Sequence, residues 1–394
     1  TLYKSISEHI HNSMCFTLAS DPRDAERVYL GTIRGVLVSD DGGDNWRPIP
    51  HTINWRGPLG TAGQRGMPVA TITIDPTNSN NIYFANSWKI KDGLPVWNAF
   101  GFSNALTPTN QDLYHTGRIW VSRDRGETWT EVVFEPVADY MNIHSIKVNP
   151  ANPAQVFVSA HTGLYVSNNY GASGSWSKMN TPADAFFGRG MDISPDGAWI
   201  YASFTIENTP VAWRQSAPSG NRNPEARMYA ARNTGTNLTW FLRATGLGAS
   251  SDANSPEYAY PKVDPRSTSN EHTVLLGTAI GSCGLWETTF SVTDNFISNP
   301  PWTQIFWTSG RPQANGTGTF EYNPGWDTYD VTGRYYSYTP TSWPSRKIWT
   351  TGNQTMFEGN PAATGWPLSA ASWNERYSEQ IGITNNFRTY RHRG

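Results

Sequence analysis

An eight-residue pattern, Ser-x-Asp-x-Gly-x-x-Trp, occurs twice in full in this chain and constrains its fold more than any other feature. The full copies are residues 39–46 and 122–129, and a looser copy at 167–176 has Asn169 in place of Asp and two extra residues before Trp176. An Asp at the start of a tight turn accepts hydrogen bonds from backbone N–H groups two and three residues on, Gly supplies a positive φ, and Trp packs against the returning strand. Each copy therefore predicts a tightly turned β-hairpin.

A second pattern precedes these copies and recurs further along the chain: an apolar strand, a short turn ending in Pro, and another apolar strand. The turns are Asp21-Pro22, Asp75-Pro76, Asn149-Pro150, Ser194-Pro195 and Asp264-Pro265. Period-two strands bounded by such turns form hairpins, so one repeat is a four-stranded antiparallel meander. One such sheet cannot cover both of its faces, and radial stacking of repeats does so. The sequence predicts an all-β β-propeller of six or seven four-stranded antiparallel blades, as a single domain over residues 1–394.

The two ends of the chain bear on how the ring closes. A weaker sixth repeat has strands at residues 335–338 and 347–350, and the tail from Trp373 could start another. Residues 2–6 look like an outer strand, which would close the ring as the last strand of the final blade. Because the tail ends before an obvious final hairpin, we expect a chain truncated at its C-terminus or completed by a further chain or domain. Cys15 and Cys283 fall in different repeats and either pair or remain two buried thiols.

Charge and composition exclude several classes of partner. The formal charge is -2 and no block of Lys and Arg is present, so the attraction to phosphates that nucleic-acid binding needs has no source. The longest apolar runs are too short to span a bilayer. His9 and His11 share one side of a strand but lack a third ligand nearby, and no phosphate-binding Gly loop is present, so we expect neither metal nor cofactor. Richness in Trp, Asn, Thr and Gly with few Lys favours a secreted, extracellular protein.

On these motifs the chain resembles the Asp-box (BNR-repeat) β-propeller superfamily, which includes sialidases, xyloglucanase-like glycoside hydrolases, sortilin-type receptors and photosystem assembly factors. The resemblance implies the propeller architecture and allows both catalytic and non-catalytic roles. Sialidases carry an Arg-Ile-Pro-type motif before the first box, whereas residues 31–35 here are Gly-Thr-Ile-Arg-Gly, without the Pro. Xyloglucanase-like enzymes place a catalytic Asp in a Thr-Asp-x-Gly-Gly stretch that aligns with this segment, where the chain has Ile33 and Arg34. Neither signature carries over.

The turns of a four-stranded meander alternate between the two ends of the sheet. The Pro-containing turns and the Asp-box turns therefore share one face of the propeller, and the other loops form the opposite face. That opposite face receives the long segments 48–67, 87–116, 205–227 and 246–260. Long loops gathered on one face of a rigid scaffold mark the working surface.

Aromatic, basic and amide side chains on that face suit sugars, whose apolar faces stack and whose hydroxyls need polar partners. The residues expected to carry chemistry are His144, Arg189, Tyr260 and Glu207. The residues expected to bind substrate are Arg34, Arg65, Trp88, His161, Tyr258 and Lys262. Arg65 and Arg189 lie in matching Gln-Arg-Gly-Met and Gly-Arg-Gly-Met segments. A structural role is the alternative for each, since a strand-end His is commonly structural and loop Trp residues also cover blade tops.

Two mechanisms remain open. Hydrolysis needs two facing carboxyl groups, and the face offers acids without a diagnostic motif, namely Glu207, Asp112, Asp139, Asp252, Glu257 and Asp327. β-Elimination from a uronate polysaccharide needs an Arg or Lys that neutralises the carboxylate, and a Tyr or His that takes the α-proton and protonates the leaving oxygen. Propeller polysaccharide lyases resemble this scheme. We expect an extracellular carbohydrate-active propeller that cleaves a polysaccharide or glycan in a central pocket. The alternative is a non-catalytic propeller that binds glycan or protein, or a structural part of an extracellular assembly.

Overall fold

The structure is a computed structural model. It describes residues 15–24, 26–32, 35–49, 69, 71–86, 89–91, 94–95, 113–115, 118–132, 143–160, 162–185, 187–206, 225–247, 258–279, 284–307, 330–335, 346–352, 355–359, 373–378, 380–381 and 387–388. All regular elements in these ranges are β-strands apart from turns and bends. None of these residues belongs to a helix long and apolar enough to cross a membrane.

The strands of the first three repeats are, in chain order, β1 (Cys15–Ser20), β2 (Val28–Thr32), β3 (Gly35–Ser39), β4 (Arg47–Pro48), β5 (Thr71–Ile74), β6 (Ile82–Asn86), β7 (Lys89–Lys91), β8 (Leu94–Pro95), β9 (Leu113–His115), β10 (Arg118–Ser122), β11 (Thr130–Val132), β12 (Ile143–Asn149), β13 (Asn152–Ala160), β14 (Gly163–Ser167) and β15 (Trp176–Met179). They form three four-stranded antiparallel sheets, β1-β2-β3-β4, β5-β6-β10-β11 and β12-β13-β14-β15. Strands β8-β7-β9 make a small separate sheet within the second repeat.

The remaining strands are β16 (Phe187–Ile193), β17 (Trp199–Ile206), β18 (Glu225–Arg232), β19 (Trp240–Leu242), β20 (Tyr258–Val263), β21 (Glu271–Ala279), β22 (Gly284–Thr293), β23 (Phe296–Ile297), β24 (Thr303–Trp307), β25 (Asp330–Tyr335), β26 (Arg346–Gly352), β27 (Thr355–Gly359), β28 (Trp373–Ser378), β29 (Gln380–Ile381) and β30 (Phe387–Arg388). They add the sheets β16-β17-β18-β19, β20-β21-β22-β24 and β25-β26-β27-β28. Strand β23 forms a short hairpin with the end of β22, and β29 pairs with β30.

The first strands of the six sheets, here called the inner strands, lie side by side. These are β1, β5, β12, β16, β20 and β25, and each contacts the inner strand of the next sheet. Strand β25 contacts both β20 and β1, as it would in a closed ring. This radial arrangement confirms the predicted all-β propeller fold. The blade number of six or seven, and the single domain over residues 1–394, stay predictions.

The core of the molecule lies between neighbouring blades. Each of four buried apolar clusters draws its residues from two successive blades, 1 with 2, 2 with 3, 3 with 4 and 4 with 5. In the cluster of blades 1 and 2, Phe84 packs edge-on against Trp129 with the ring centroids 4.7 Å apart. A buried side chain of this size stabilises the fold by roughly 1.5–3 kcal/mol. The alternating apolar residues of each repeat are therefore what bind one blade to the next.

The eight-residue motif closes its turn differently from the prediction, because the serine has the central role. Ser122 Oγ accepts a hydrogen bond from the backbone N–H of Gly126 at 2.8 Å and donates one to Asp124 Oδ1 at 2.7 Å. Asp124 in turn accepts from Thr128, through its backbone N–H at 2.8 Å and its hydroxyl at 2.5 Å. Residues 39–45 repeat this arrangement, with Gly43 N–H on Ser39 Oγ at 2.8 Å. The Asp therefore holds the end of the turn and the Ser holds its middle.

Positive φ angles occur at two successive positions of each turn. The motif glycines Gly43, Gly126 and Gly171 have φ of 94°, 93° and 71°. The residue before each of them is also left-handed, and in two copies it is not glycine: φ is 64° at Arg125 and 50° at Tyr170. A side chain in that region strains the backbone by about 1–2 kcal/mol, so these turns are held by their hydrogen bonds against local preference.

The same two residues receive bonds from the preceding blade. Tyr29 on β2 donates its hydroxyl hydrogen to the carbonyl of Arg125 at 3.2 Å, and Tyr83 on β6 donates to the carbonyl of Tyr170 at 3.1 Å. The guanidinium of Arg125 pairs with Asp21, in the Pro-containing turn of blade 1, at 2.9 Å. These contacts confirm that both kinds of turn share one face, here called the turn face.

The structure also corrects the reading of the C-terminal tail. Residues 373–378 form β28, the fourth strand of the sixth sheet, and do not start another repeat. This strand pairs with β27. Residues 2–6 and Cys283 lie outside the described residues, so the expected closing strand and the cysteine pairing stay predictions.

Candidate functional site

Three inner strands carry a β-bulge near their first residues, at the end of the blade away from the turn face. In β12, Ile143 pairs with Ala160 and Ser145 with Ser159, so His144 is the extra residue. In β16, Gly188 pairs with Phe204 and Met191 with Ala202, which leaves one extra residue within Arg189–Gly190. A bulge occurs between Cys15 and Thr17 of β1 as well. Bulges turn a side chain away from the regular pleat and concentrate next to active sites.

Two predicted catalytic residues therefore occupy equivalent places on neighbouring blades. His144 lies five residues before Asn149, and Arg189 lies five before Ser194, the residues that precede proline in the two turns. The His144 side chain is buried. The hydroxyl of Ser145 donates to the carbonyl of Met191 at 3.2 Å, which ties the two bulged strands together. The sequence places these residues one blade apart, and the bulges set them at the same level.

Close backbone approach explains the glycine before Arg189. A Cβ on Gly188 would lie 2.7 Å from the Ala160 carbonyl oxygen and 2.7 Å from Ser159 Oγ on the preceding blade. Contacts that short require a backbone shift, so only glycine fits there. Arg65 lies ten residues before Asp75, whereas Arg189 lies five before Ser194. Because Arg65 is outside the described residues, the equivalence of the two segments stays a prediction.

Three charged residues meet further along the inner strands of blades 3, 4 and 5. Lys262, predicted to bind substrate, lies with its Nζ 3.3 Å from Asp192 Oδ2, and the Nζ of Lys147 lies 4.0 Å from Asp192 Oδ1. Asp192 Oδ2 also accepts the backbone N–H of Val263 at 2.8 Å. We call Lys147, Asp192 and Lys262 the inner-strand triad.

The members of the triad are equivalent by strand register. Lys147 pairs with Phe157, Asp192 with Tyr201 and Lys262 with Leu275, each on the second strand of its blade. Lys147 and Asp192 were not predicted, although each lies two residues before the position that precedes proline, as Lys262 does. Counting back from the turns would have found all three.

The triad is mostly buried, and its two lysines are partly exposed to solvent. The exposed fraction of the side chain is 7% for Asp192, 13% for Lys147 and 25% for Lys262. Among the described residues Asp192 is the one ion-pair partner of either lysine. The group therefore has one anionic and two cationic members, with its lysines open to solvent in part.

The other predicted site residues divide into two sets. Tyr260 on β20 is half-buried and pairs with Gly277, and Tyr258 starts the same strand opposite Ala279. Arg34, Arg65, Trp88, His161 and Glu207 lie outside the described residues, as do the acids Asp112, Asp139, Asp252, Glu257 and Asp327. Their roles stay predictions, as do those of His144, Arg189, Tyr258, Tyr260 and Lys262. No group of three or more metal-ligating side chains occurs in the part of the chain that the structure describes.

A buried polar pair joins blades 4 and 5 away from these residues. The Tyr201 hydroxyl lies 2.6 Å from Nδ1 of His272, whose side chain is fully buried. Burial lowers the pKa of His272 below its usual value, against the opposing charge of Asp196 and the backbone of Thr268. Burial also raises the pKa of Tyr201 well above its usual value. At neutral pH both groups are uncharged, and one hydrogen bond joins the hydroxyl to the imidazole nitrogen.

Comparison with known proteins places the fold. No protein-family model and no curated protein sequence matches the chain. Among solved structures, an ancestral GH74 enzyme is similar with a TM-score of 0.60 and 23% identity over 95% of this chain and 43% of that one. The GH74 enzyme of Niastella koreensis (TM-score 0.49, 17% identity, 89% and 46% of the two chains) and YCF48 from Cyanidioschyzon merolae (0.46, 13%, 92% and 85%) also resemble it. This chain spans less than half the length of the two GH74 enzymes, and likeness at these identities shows the propeller fold alone.

Proposed function

We propose that this protein is a secreted carbohydrate-active propeller of the Asp-box kind, which cleaves a polysaccharide or glycan where its inner strands begin. The observation that carries the proposal is the pair of bulges that set His144 and Arg189 at the same level of neighbouring strands. β-Elimination uses a general base or acid together with a cation, and these are the residue types that the two strand positions carry. Hydrolysis would instead recruit two carboxyl groups from the loops of the same face.

A non-catalytic glycan-binding or protein-binding propeller is the second candidate, and Asp192 favours it. On the inner strands, Asp192 is the one acid whose side chain the structure describes, and Lys262 and the backbone N–H of Val263 already contact its Oδ2. This carboxylate has partners within the protein, and the described inner strands offer no second carboxylate to face it across a glycosidic bond. Under this candidate the same inner-strand face binds its ligand without turnover.

A panel of neutral and acidic polysaccharides tests the proposal. New reducing ends alone indicate hydrolysis, new reducing ends with unsaturated products indicate elimination, and binding without either supports the second candidate. We expect His144→Ala and Arg189→Ala each to lower turnover about 100-fold, the scale of a lost acid–base group. Arg232→Ala is the matched control, because Arg232 pairs with exposed Asp294 at the turn face. Full turnover in the His144 and Arg189 variants, or no glycan recognition at all, refutes the proposal.

A further inference from the structure

We propose that the inner-strand triad binds a carboxylate of an acidic polysaccharide, so that the ligand of this propeller is a uronate-containing chain. This inference rests on the proposed function, since it names the substrate class of the same site. Its basis is the surplus positive charge of two lysines around one aspartate.

Within the described part of the chain, most of the hydrogen-bonding capacity of the two lysines has no partner. Lys147 Nζ is 4.0 Å from Asp192, which is beyond hydrogen-bond length, and Lys262 Nζ at 3.3 Å makes one long contact. An ammonium group has three donors and no acceptor. A second carboxylate arriving beside Asp192 would therefore meet donors, on two cations, that the described residues leave available.

The surplus charge is local to the inner strands. Four of their residues are basic, namely Lys147, Arg189, Lys262 and Arg334, and two are acidic, Asp192 and Asp330. The whole chain, by contrast, has a formal charge of -2. A positive centre in a negative molecule attracts anions to that centre and not to the surface at large.

Blades 1 and 2 show that the fold does not require these charges. Ala19 pairs with Tyr29 and Thr73 with Tyr83, so they take the register position that Lys147, Asp192 and Lys262 take in blades 3 to 5. Blades 3 and 4, which carry His144 and Arg189, thus also carry two of the three triad residues. Like charges held around one carboxylate repel each other, and a bound anion relieves that repulsion.

The distance along the strands indicates a polymer and not a single sugar. Lys147 lies three residues beyond His144 on β12, and Asp192 lies three beyond Arg189 on β16. At about 3.3 Å per residue the triad is ~10 Å from the bulges. A ligand that contacts both levels must be longer than one sugar unit.

Binding of a short oligogalacturonate, compared with its fully methyl-esterified form, tests the inference by calorimetry at low salt. The two probes share one chain and differ in charge. We expect the wild-type protein to bind the acid form at least about tenfold more tightly, and Lys147→Gln/Lys262→Gln to lose that preference. Lys178→Gln, which removes an exposed lysine on the outer strand β15, is the matched control and leaves binding unchanged.

Asp192→Asn supplies a readout that a structural role alone would not produce. The amide oxygen still accepts from Val263, while the competing negative charge is gone, so we expect tighter binding of the acid form. Lys147→Gln alone replaces the double variant if the latter does not fold, and thermal melting establishes folding in each case.

The failures are distinguishable. Equal binding of the acid and ester forms, or a lysine variant that keeps the wild-type preference, overturns the inference and leaves the proposed function standing when neutral glycans bind. If no probe and no member of the polysaccharide panel binds, both fall.

Discussion

Replacing Ser122 by alanine tests the claim that serine holds the middle of each motif turn. Ser122 is fully buried, and its Oγ is the hydrogen-bond acceptor of the buried Gly126 N–H at 2.8 Å. An orphaned buried backbone group costs about 1–3 kcal/mol. The lost bond to Asp124 adds little, because water replaces it at that exposed carboxylate. We therefore expect Ser122→Ala to lower the free energy of unfolding by about 1–3 kcal/mol.

Urea unfolding followed by tryptophan fluorescence measures the effect. Ser177→Ala is the matched control, since Ser177 is exposed on β15 beside the third motif, and we expect a change within about 0.5 kcal/mol. Ser39→Ala repeats the test in the first copy, where Gly43 N–H bonds to the same kind of oxygen at 2.8 Å. If Ser122→Ala and Ser39→Ala are no more damaging than Ser177→Ala, the assignment of the central role to serine is wrong.

Three further predictions concern strain and pH. Tyr170→Gly should raise the unfolding free energy by about 1 kcal/mol, since φ is 50° there and the exposed ring is dispensable, and a loss in urea unfolding contradicts this. Hydrogen bonds from Thr128 and Ser122 lower the pKa of Asp124 to about 2, so its contribution to stability is present above its unfolded pKa of 3.8 and lost as the pH falls toward 2. Asp124→Asn should therefore weaken the pH dependence of the unfolding free energy in that window, and an unchanged dependence contradicts this. Because burial lowers the pKa of His272, stability should decline as the pH falls below 6.5, and His272→Gln should remove that decline in pH-dependent urea midpoints.

Local sequence patterns predict the blades because their turns are determined locally. The Pro-containing turns and the Ser-x-Asp-x-Gly-x-x-Trp copies each lie within about ten residues, so the order of the blade strands β1 to β6 and β10 to β15 follows from them. Strands β7, β8 and β9 lie in the segment 87–116, which was predicted as a long loop. The strand at 373–378 was misread because its pairing with β27 depends on a partner some fifteen residues away and on no turn motif. The left-handed φ of Arg125 and Tyr170 could not be predicted from the residue types, since neither residue favours that conformation. Hydrogen bonds from another blade hold both residues in it.

The structure places the predicted residues His144, Arg189 and Lys262 on inner strands, and their roles stay predictions. They were predicted from the face of the propeller to which their segments belong. Which of them share a level depends on bulges, and a bulge is a property of two paired strands that one strand's sequence does not reveal. Asp192 was not predicted because it lies within a strand, whereas the predicted acids come from the segments between the predicted strands.

Several links between successive blades join a side chain on one blade to main-chain atoms of the next. Thr17 accepts from the N–H of Ile72, Thr71 from that of Ile146, and Asp192 from that of Val263. Every residue except proline offers that N–H, whatever its side chain, so the receiving blade needs no complementary partner. A substitution of the donating residue, other than to proline, therefore leaves the link between the two blades in place. Neighbouring blades are in this respect joined by main-chain atoms, which are the same for every other residue type.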